Sequence, residues 1–146
     1  SYGLSSIAII KNSDNSATLF VYAPNNGLAA YRISLPNVPI KLNSPINNEV
    51  PEKGFDFSWD GVSGSEYTLE ISKSASFGDI AFSATTTNNS YSSTKFALDG
   101  ETKYYWRVTA KNENYTTTTS SVGEFATSEL PTIKVNLLLP YQFPFR

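Results

Sequence analysis

Residues 98–110, Leu-Asp-Gly-Glu-Thr-Lys-Tyr-Tyr-Trp-Arg-Val-Thr-Ala, read as a turn feeding one long strand. Neighbouring side chains of a strand point to opposite faces. Tyr104, Trp106, Val108 and Ala110 therefore share one face, and Tyr105, Arg107 and Thr109 share the other. An aromatic and β-branched face backed by a polar one suits a strand whose inner side is covered by a second sheet. Apolar residues recur at i+2 along nearly the whole chain and rarely at i+3 or i+4, so no helix is expected. The expected class is all-β.

The same period divides the rest of the chain. Leu4 to Ile10, Leu19 to Tyr22 and Leu28 to Ile33 are short apolar runs, parted by Asn12-Ser13-Asp14-Asn15 and Pro24-Asn25-Asn26-Gly27. Both partings are turn signals, so residues 1–36 read as an N-terminal three-stranded β-meander. A meander of this size is not stable alone and must cover one face. It is expected to pack on the β-domain that follows or to complete a preceding one. A cut-away propeller blade is the sharper reading, and it is disfavoured because only one repeat is visible. Pro36, Pro39 and Pro45 mark a linker entering an edge strand.

Beyond the linker, Phe55, Phe57 and Trp59 alternate with Asp56 and Ser58, and Asp60 to Gly64 is a turn. Tyr67, Leu69 and Ile71 then alternate with Thr68 and Glu70, and Phe77, Ile80 and Phe82 mark a short strand. Asn88 to Ser90 is a polar loop, Tyr91 to Leu98 a strand, Asn112 to Tyr115 a loop, and Ser121 to Ala126 a last strand. Phe57, Trp59, Tyr67, Leu69, Tyr104, Trp106 and Val108 are expected in one core.

Leu98, Thr102, Tyr104, Val108 and Ala110, with Trp59 and Tyr67 upstream, give residues 37–128 a resemblance to fibronectin type III modules. The resemblance implies a fibronectin type III-like seven-stranded β-sandwich, with strand A in 41–50, B in 55–59, C in 67–71, C′ in 77–82, E in 91–98, F in 104–110 and G in 121–126. It places Tyr104 at the family's corner tyrosine, whose hydroxyl ties back to the backbone. Gly100 departs from the pattern, standing where the family often has Pro. Such modules belong to secreted and cell-surface multidomain proteins, bacterial ones especially. There they space, orient or dock other domains, so the resemblance implies an extracellular or cell-surface location.

Composition narrows the chemistry. With no histidine, a Ser-His-Asp arrangement cannot be built, and with no cysteine, disulfides and thiolate metal sites are excluded. Zinc held by carboxylates alone would be atypical, and no Asp-x-Asp-x-Asp run offers calcium a cage. Gly78, Gly100 and Gly123 stand singly, away from any phosphate loop. Glu66 and Glu70 fall on an outward strand face and Asp60 and Asp99 in turns, which explains them without catalysis. The chain is expected to be no enzyme and to use no cofactor. A net charge of −2 with scattered Lys and Arg gives no footprint for nucleic acid or an anionic membrane, so neither is an expected partner. No run approaches the roughly 18 apolar residues of a membrane span. The start at Ser1, the lack of Met and the lack of a signal peptide lead to the expectation of a processed piece or an excised domain.

Tyr105, outward on its strand, and Tyr115, at the tip of the 112–115 loop, are the candidate ligand contacts, since exposed aromatics beside Asn and Thr suit sugar stacking or protein contacts. The plainer expectation is that a neighbouring domain covers Tyr105, a cover that residues 1–35 could supply. Asn88 and Asn114 head sequons in loops and are candidate glycosylation sites. Thr116 to Ser121 reads as a solvated strand entry. In the apolar segment 129–146, Ile133, Val135, Leu137 and Leu139 alternate as a strand would, and Tyr141, Phe143 and Phe145 continue across two prolines. These four residues are expected to form a partner-strand, folding back on the meander, opening a following domain or entering a neighbouring subunit. The functional expectation is a non-catalytic structural or interaction module of a larger extracellular or cell-surface assembly, with other domains or subunits as partners. The alternatives are a carbohydrate-binding module taking glycans on its tyrosines, and a non-catalytic fragment of a secreted enzyme whose active site lies elsewhere.

Overall fold

The seven expected core residues are all buried in the computed structural model, which describes residues 6–13 and 16–129. They arrive from two sheets. Strands β4 (Lys41–Ser44), β5 (Asp56–Asp60) and β8 (Ser90–Ser92) form an antiparallel sheet in the order β4-β5-β8. Strands β6 (Glu66–Ser72), β7 (Ile80–Thr86), β9 (Lys103–Lys111), β10 (Thr118–Thr119) and β11 (Gly123–Ala126) form the other, with β9 central and the order β10-β9-β6-β7; β11 also pairs with β9. The register sets Tyr67 opposite Ala110, Leu69 opposite Val108, Ile71 opposite Trp106 and Phe125 opposite Tyr104. Each cross-strand pair thus sends two apolar side chains inward together.

Rings close the gap between the sheets. Phe57 of β5 meets Trp106 edge-on at 5.0 Å and Phe125 at 5.4 Å, and Trp59 meets Tyr67 at 5.5 Å. The described residues therefore form an all-β fold, and two of its antiparallel sheets share one aromatic core, consistent with a β-sandwich.

The first strand changes sheet. After β4 the chain turns through Asn47 and Asn48, both at positive φ (56° and 59°), with the Glu49 amide donating to the Ile46 carbonyl at 3.0 Å. Asn tolerates this left-handed backbone better than most residues. Asn48 then donates to the Glu124 carbonyl, and the Ala126 amide donates to the Glu49 carbonyl. At the crossover Trp106 Nε1 donates to the Pro45 carbonyl at 2.7 Å. The expected single strand 41–50 is thus split between both sheets.

Three further boundaries differ from expectation. The strand expected over 91–98 ends at Ser92, whose hydroxyl accepts from the Thr94 amide and starts a 3-10 turn over Ser93–Lys95. Hydroxyl side chains here offer the backbone a local partner in place of a ladder. The strand expected over 77–82 is shifted to Ile80–Thr86, and Phe77 lies in the turn before it. The last strand is broken into β10 and β11, and β10 lies inside the hydroxyl run expected to be solvated.

Strands β1 (Ser6–Lys11), β2 (Ser16–Ala23) and β3 (Gly27–Ser34) make a separate antiparallel sheet in chain order. Its base is fixed where the chain leaves it. Thr116 donates from its amide to the Pro36 carbonyl at 2.7 Å and from its hydroxyl to the Leu35 carbonyl at 2.9 Å, and Asn37 bridges to Thr116. The expected packing of this sheet across the two-sheet body is not made. Among the described residues no strand of the meander is in extended contact with a strand of the body. The contact is at the base, where Ile9, Lys11, Ala17, Ile33 and Leu35 face Glu113 and Asn114.

Candidate interaction surface

Tyr105 lies on the outward face of β9, opposite Ser72 on one side and Glu124 on the other, and is half-buried. The meander does not provide the cover expected for it. Tyr105 sits near the start of β9, and the meander stands beyond the strand's far end. Lys103 covers it instead, with Nζ 5.2 Å from the ring centroid and 3.0 Å from a Glu124 carboxylate oxygen. One face that a sugar ring would need is thus occupied by an ammonium group.

Next along that face, Arg107 Nε donates to Glu70 at 2.7 Å, and the guanidinium lies 4.0 Å from the Phe77 ring centroid. Phe77 has φ +58°, an uncommon backbone for a bulky residue. It is held there by the 72–79 turn: its amide donates to the Ser74 carbonyl, and the Ser72 hydroxyl and Lys73 amide both donate to the Asp79 carbonyl. Glu70 lies outward as expected, paired with a cation. Hydrogen bonds to Asp99 and Glu124 raise the pKa of Lys73 and Lys103 respectively. A raised folded-state pKa contributes stability that is present below the usual lysine value and lost as pH climbs through the raised one. Both pairs are solvated, so their contribution is small.

Tyr115 differs from expectation. It is half-buried and packs against the core cluster, so it closes one end of the body and does not project from a loop tip. Asn112, which sequence reasoning passed over, shapes that loop. It is buried, accepts from the Asn114 amide at 3.0 Å, and donates to the Ser63 carbonyl and the Ser65 hydroxyl. An Asn in a polar loop carries no periodic signal of burial. Asn88 and Asn114 are both exposed outside the strands. Ile133, Val135, Leu137 and Leu139 lie outside the described residues. Among the described residues no cluster of His, Cys, Asp or Glu is arranged to hold a metal, and no helix is long and apolar enough to cross a membrane.

Most of the exposed large apolar side chains among the described residues are on the meander. Its register places Ile7, Val21 and Ala29 in one row, Ile9, Leu19 and Tyr31 in the next, and Lys11, Ala17 and Ile33 in the last. Residues directly opposite one another share a face, so all three rows look the same way. The last row meets the base contact and buries Ala17. The upper rows stay open, with Ile7 65%, Ile9 63% and Tyr31 55% exposed. The other face also carries exposed Ile10, Tyr22 and Leu28. Among the described residues, the outer edges of β1 and β3 pair with no strand. The lower end is nonetheless well tied, since the Asn12 amide group donates to the hydroxyls of Ser16 and Thr18.

Comparison of the chain with protein-family models, with curated proteins and with solved structures found no match.

Proposed function

We propose that the chain is a non-catalytic interaction module of an extracellular or cell-surface assembly, in which a fibronectin type III-like sandwich mounts the meander as a docking surface. The observation that carries the reading is the open pair of rows Ile7–Val21–Ala29 and Ile9–Leu19–Tyr31 on a sheet whose outer edges pair with no strand among the described residues. Contiguous apolar surface of this kind marks a site of association, because each large aliphatic side chain left in water forgoes about 1.5–3 kcal/mol of burial. The fibronectin type III assignment draws support from the strand orders of the two packed sheets, the first strand shared between them, and the Asp99 amide donating to the Tyr104 hydroxyl at 3.0 Å. The occupied face of Tyr105 and the packed ring of Tyr115 count against glycan stacking as the principal activity.

An apolar fluorescent dye of the anilinonaphthalene sulfonate type tests this reading. The native chain in dilute solution is expected to bind the dye, and the Ile9→Lys, Tyr31→Lys double variant to lose that binding with the thermal midpoint of the sandwich unchanged. Dye binding that is absent, or indifferent to the double variant, overturns the reading. Glycan binding by the isolated chain that disappears in Tyr105→Ala would transfer the function to the carbohydrate alternative.

A further inference from the structure

We infer that the meander is completed in trans, by residues 132–139 of a second copy of this chain adding as a fourth strand to its sheet. The inference rests on the reading of the meander as a docking surface and names its occupant. In 132–139 the residues Ile133, Val135, Leu137 and Leu139 fall on one side of an extended chain, with Thr132, Lys134 and Asn136 on the other. A strand so patterned, placed at a free edge of β1 or β3, extends the apolar rows of Ile7 and Ile9 by another column.

Reach decides between the same copy and another. The chain leaves the body beside the start of β9, where the Thr127 amide donates to the Thr102 carbonyl and the Glu101 amide to the Ser128 carbonyl. The meander is anchored past the other end of β9, at the Asn37–Thr116 bridge. From Lys103 to Lys111 a strand rises about 26 Å at about 3.3 Å per residue. Counting from Glu129 at no more than about 3.6 Å per residue, Ile133 reaches about 14 Å, Val135 about 22 Å, Leu137 about 29 Å and Leu139 about 36 Å. Ile133 and Val135 fall short even of the base of their own meander, and only full extension carries Leu137 and Leu139 past it, so residues 132–139 cannot lie along the open rows of the same copy as one strand. The free edge nearest the exit is also taken, because Asn48 and Glu49 already hydrogen-bond to Glu124 and Ala126 of β11. The exit of the described chain and the apolar face thus lie beyond opposite ends of β9. The contact they make between copies is heterologous, tail of one to meander of the next.

Complementation between full-length variants tests this by sedimentation velocity. The tail variant carries Val135→Asp and Leu137→Asp; the meander variant carries Ile9→Lys and Tyr31→Lys. Ile9 and Tyr31 are exposed and lie outside the core cluster, and Ile9→Ser with Tyr31→Ser serves as a milder second meander variant should the lysines unfold the sheet. The unmodified chain is expected to self-associate with rising concentration. Each variant alone is expected to associate about a hundredfold more weakly or worse. Their equimolar mixture is expected to form a one-to-one pair, since it contains one intact tail and one intact meander. A monomeric unmodified chain, a mixture that stays monomeric, or a tail variant that still self-associates overturns the inference. Dye binding by the tail variant separates the two levels: retained, the docking surface stands and only its occupant is wrong; lost, the docking reading falls as well.

Discussion

Trp59 and Trp106 occupy the same core and differ in one atom's surroundings. Trp106 Nε1 donates to the buried side of the Pro45 carbonyl, whereas among the described residues Trp59 Nε1 has no hydrogen-bond partner. Trp106→Phe is therefore expected to cost about 2–4 kcal/mol, combining lost volume with an orphaned carbonyl, and Trp59→Phe about 1–2 kcal/mol. Urea unfolding of both variants checks this, and equal costs would contradict the pairing. Gly123 is constrained by the same indole: a Cβ there would collide with Trp106 Nε1 and Cδ1, so Gly123→Ala is expected to lose about 1–3 kcal/mol. Phe77 supplies a reversal. At most positions Ala is at least as stable as Gly, but at φ +58° Gly escapes the left-handed penalty. Phe77→Gly should thus be more stable than Phe77→Ala by about 1 kcal/mol, and the opposite order in thermal unfolding would show that the turn adjusts its backbone. The core was legible in the sequence because alternation and large aromatic side chains mark it twice over. Tyr115 and Phe77 were not, since no period orders a loop, and a bulky residue at positive φ runs against its own preference.

At the level of elements, long strands were readable and short ones were not. Strand β9 has nine residues and alternates buried with half-buried side chains from Tyr104 to Ala110, which the period-two pattern announces. Strand β8 has three residues, and the side chains after it hydrogen-bond locally, as Ser92 does with Thr94. Phe96 keeps its place in the packing even so, stacked on Phe82 at 3.9 Å, which is why an apolar tally of residues 91–98 still resembles a strand. The crossover at residues 46–49 depends on two consecutive left-handed residues, and Asn is suited to both places. Asn47→Ala or Asn48→Ala is expected to cost about 1 kcal/mol each, with Asn48→Gly neutral or stabilising. A stability equal to the unmodified chain's in both alanine variants would mean that the crossover tolerates another turn. The Tyr104 hydroxyl closes the turn before β9 by accepting from Asp99, and Tyr104→Phe is expected to lose about 0.5–1.5 kcal/mol.

For the whole molecule, the consequence is a division of labour along the length of β9. The two packed sheets hold the aromatic core. The meander, fixed at its base by Asn12 and by Thr116, raises apolar rows and free edges that its own chain does not cover among the described residues. The sequence shows the meander's strands through their turn signals, but not its isolation, because nothing in an apolar run states which surface it meets. Residue-resolved hydrogen exchange on dilute native chain tests this account most directly. Outward-pointing amides of β1 and β3 are predicted to exchange orders of magnitude faster than those of β6 and β9, and to gain protection as the concentration rises while β6 and β9 stay unchanged. Protection of the meander equal to that of β9 at every dilution would contradict the account, for it would show the sheet already covered within a single chain.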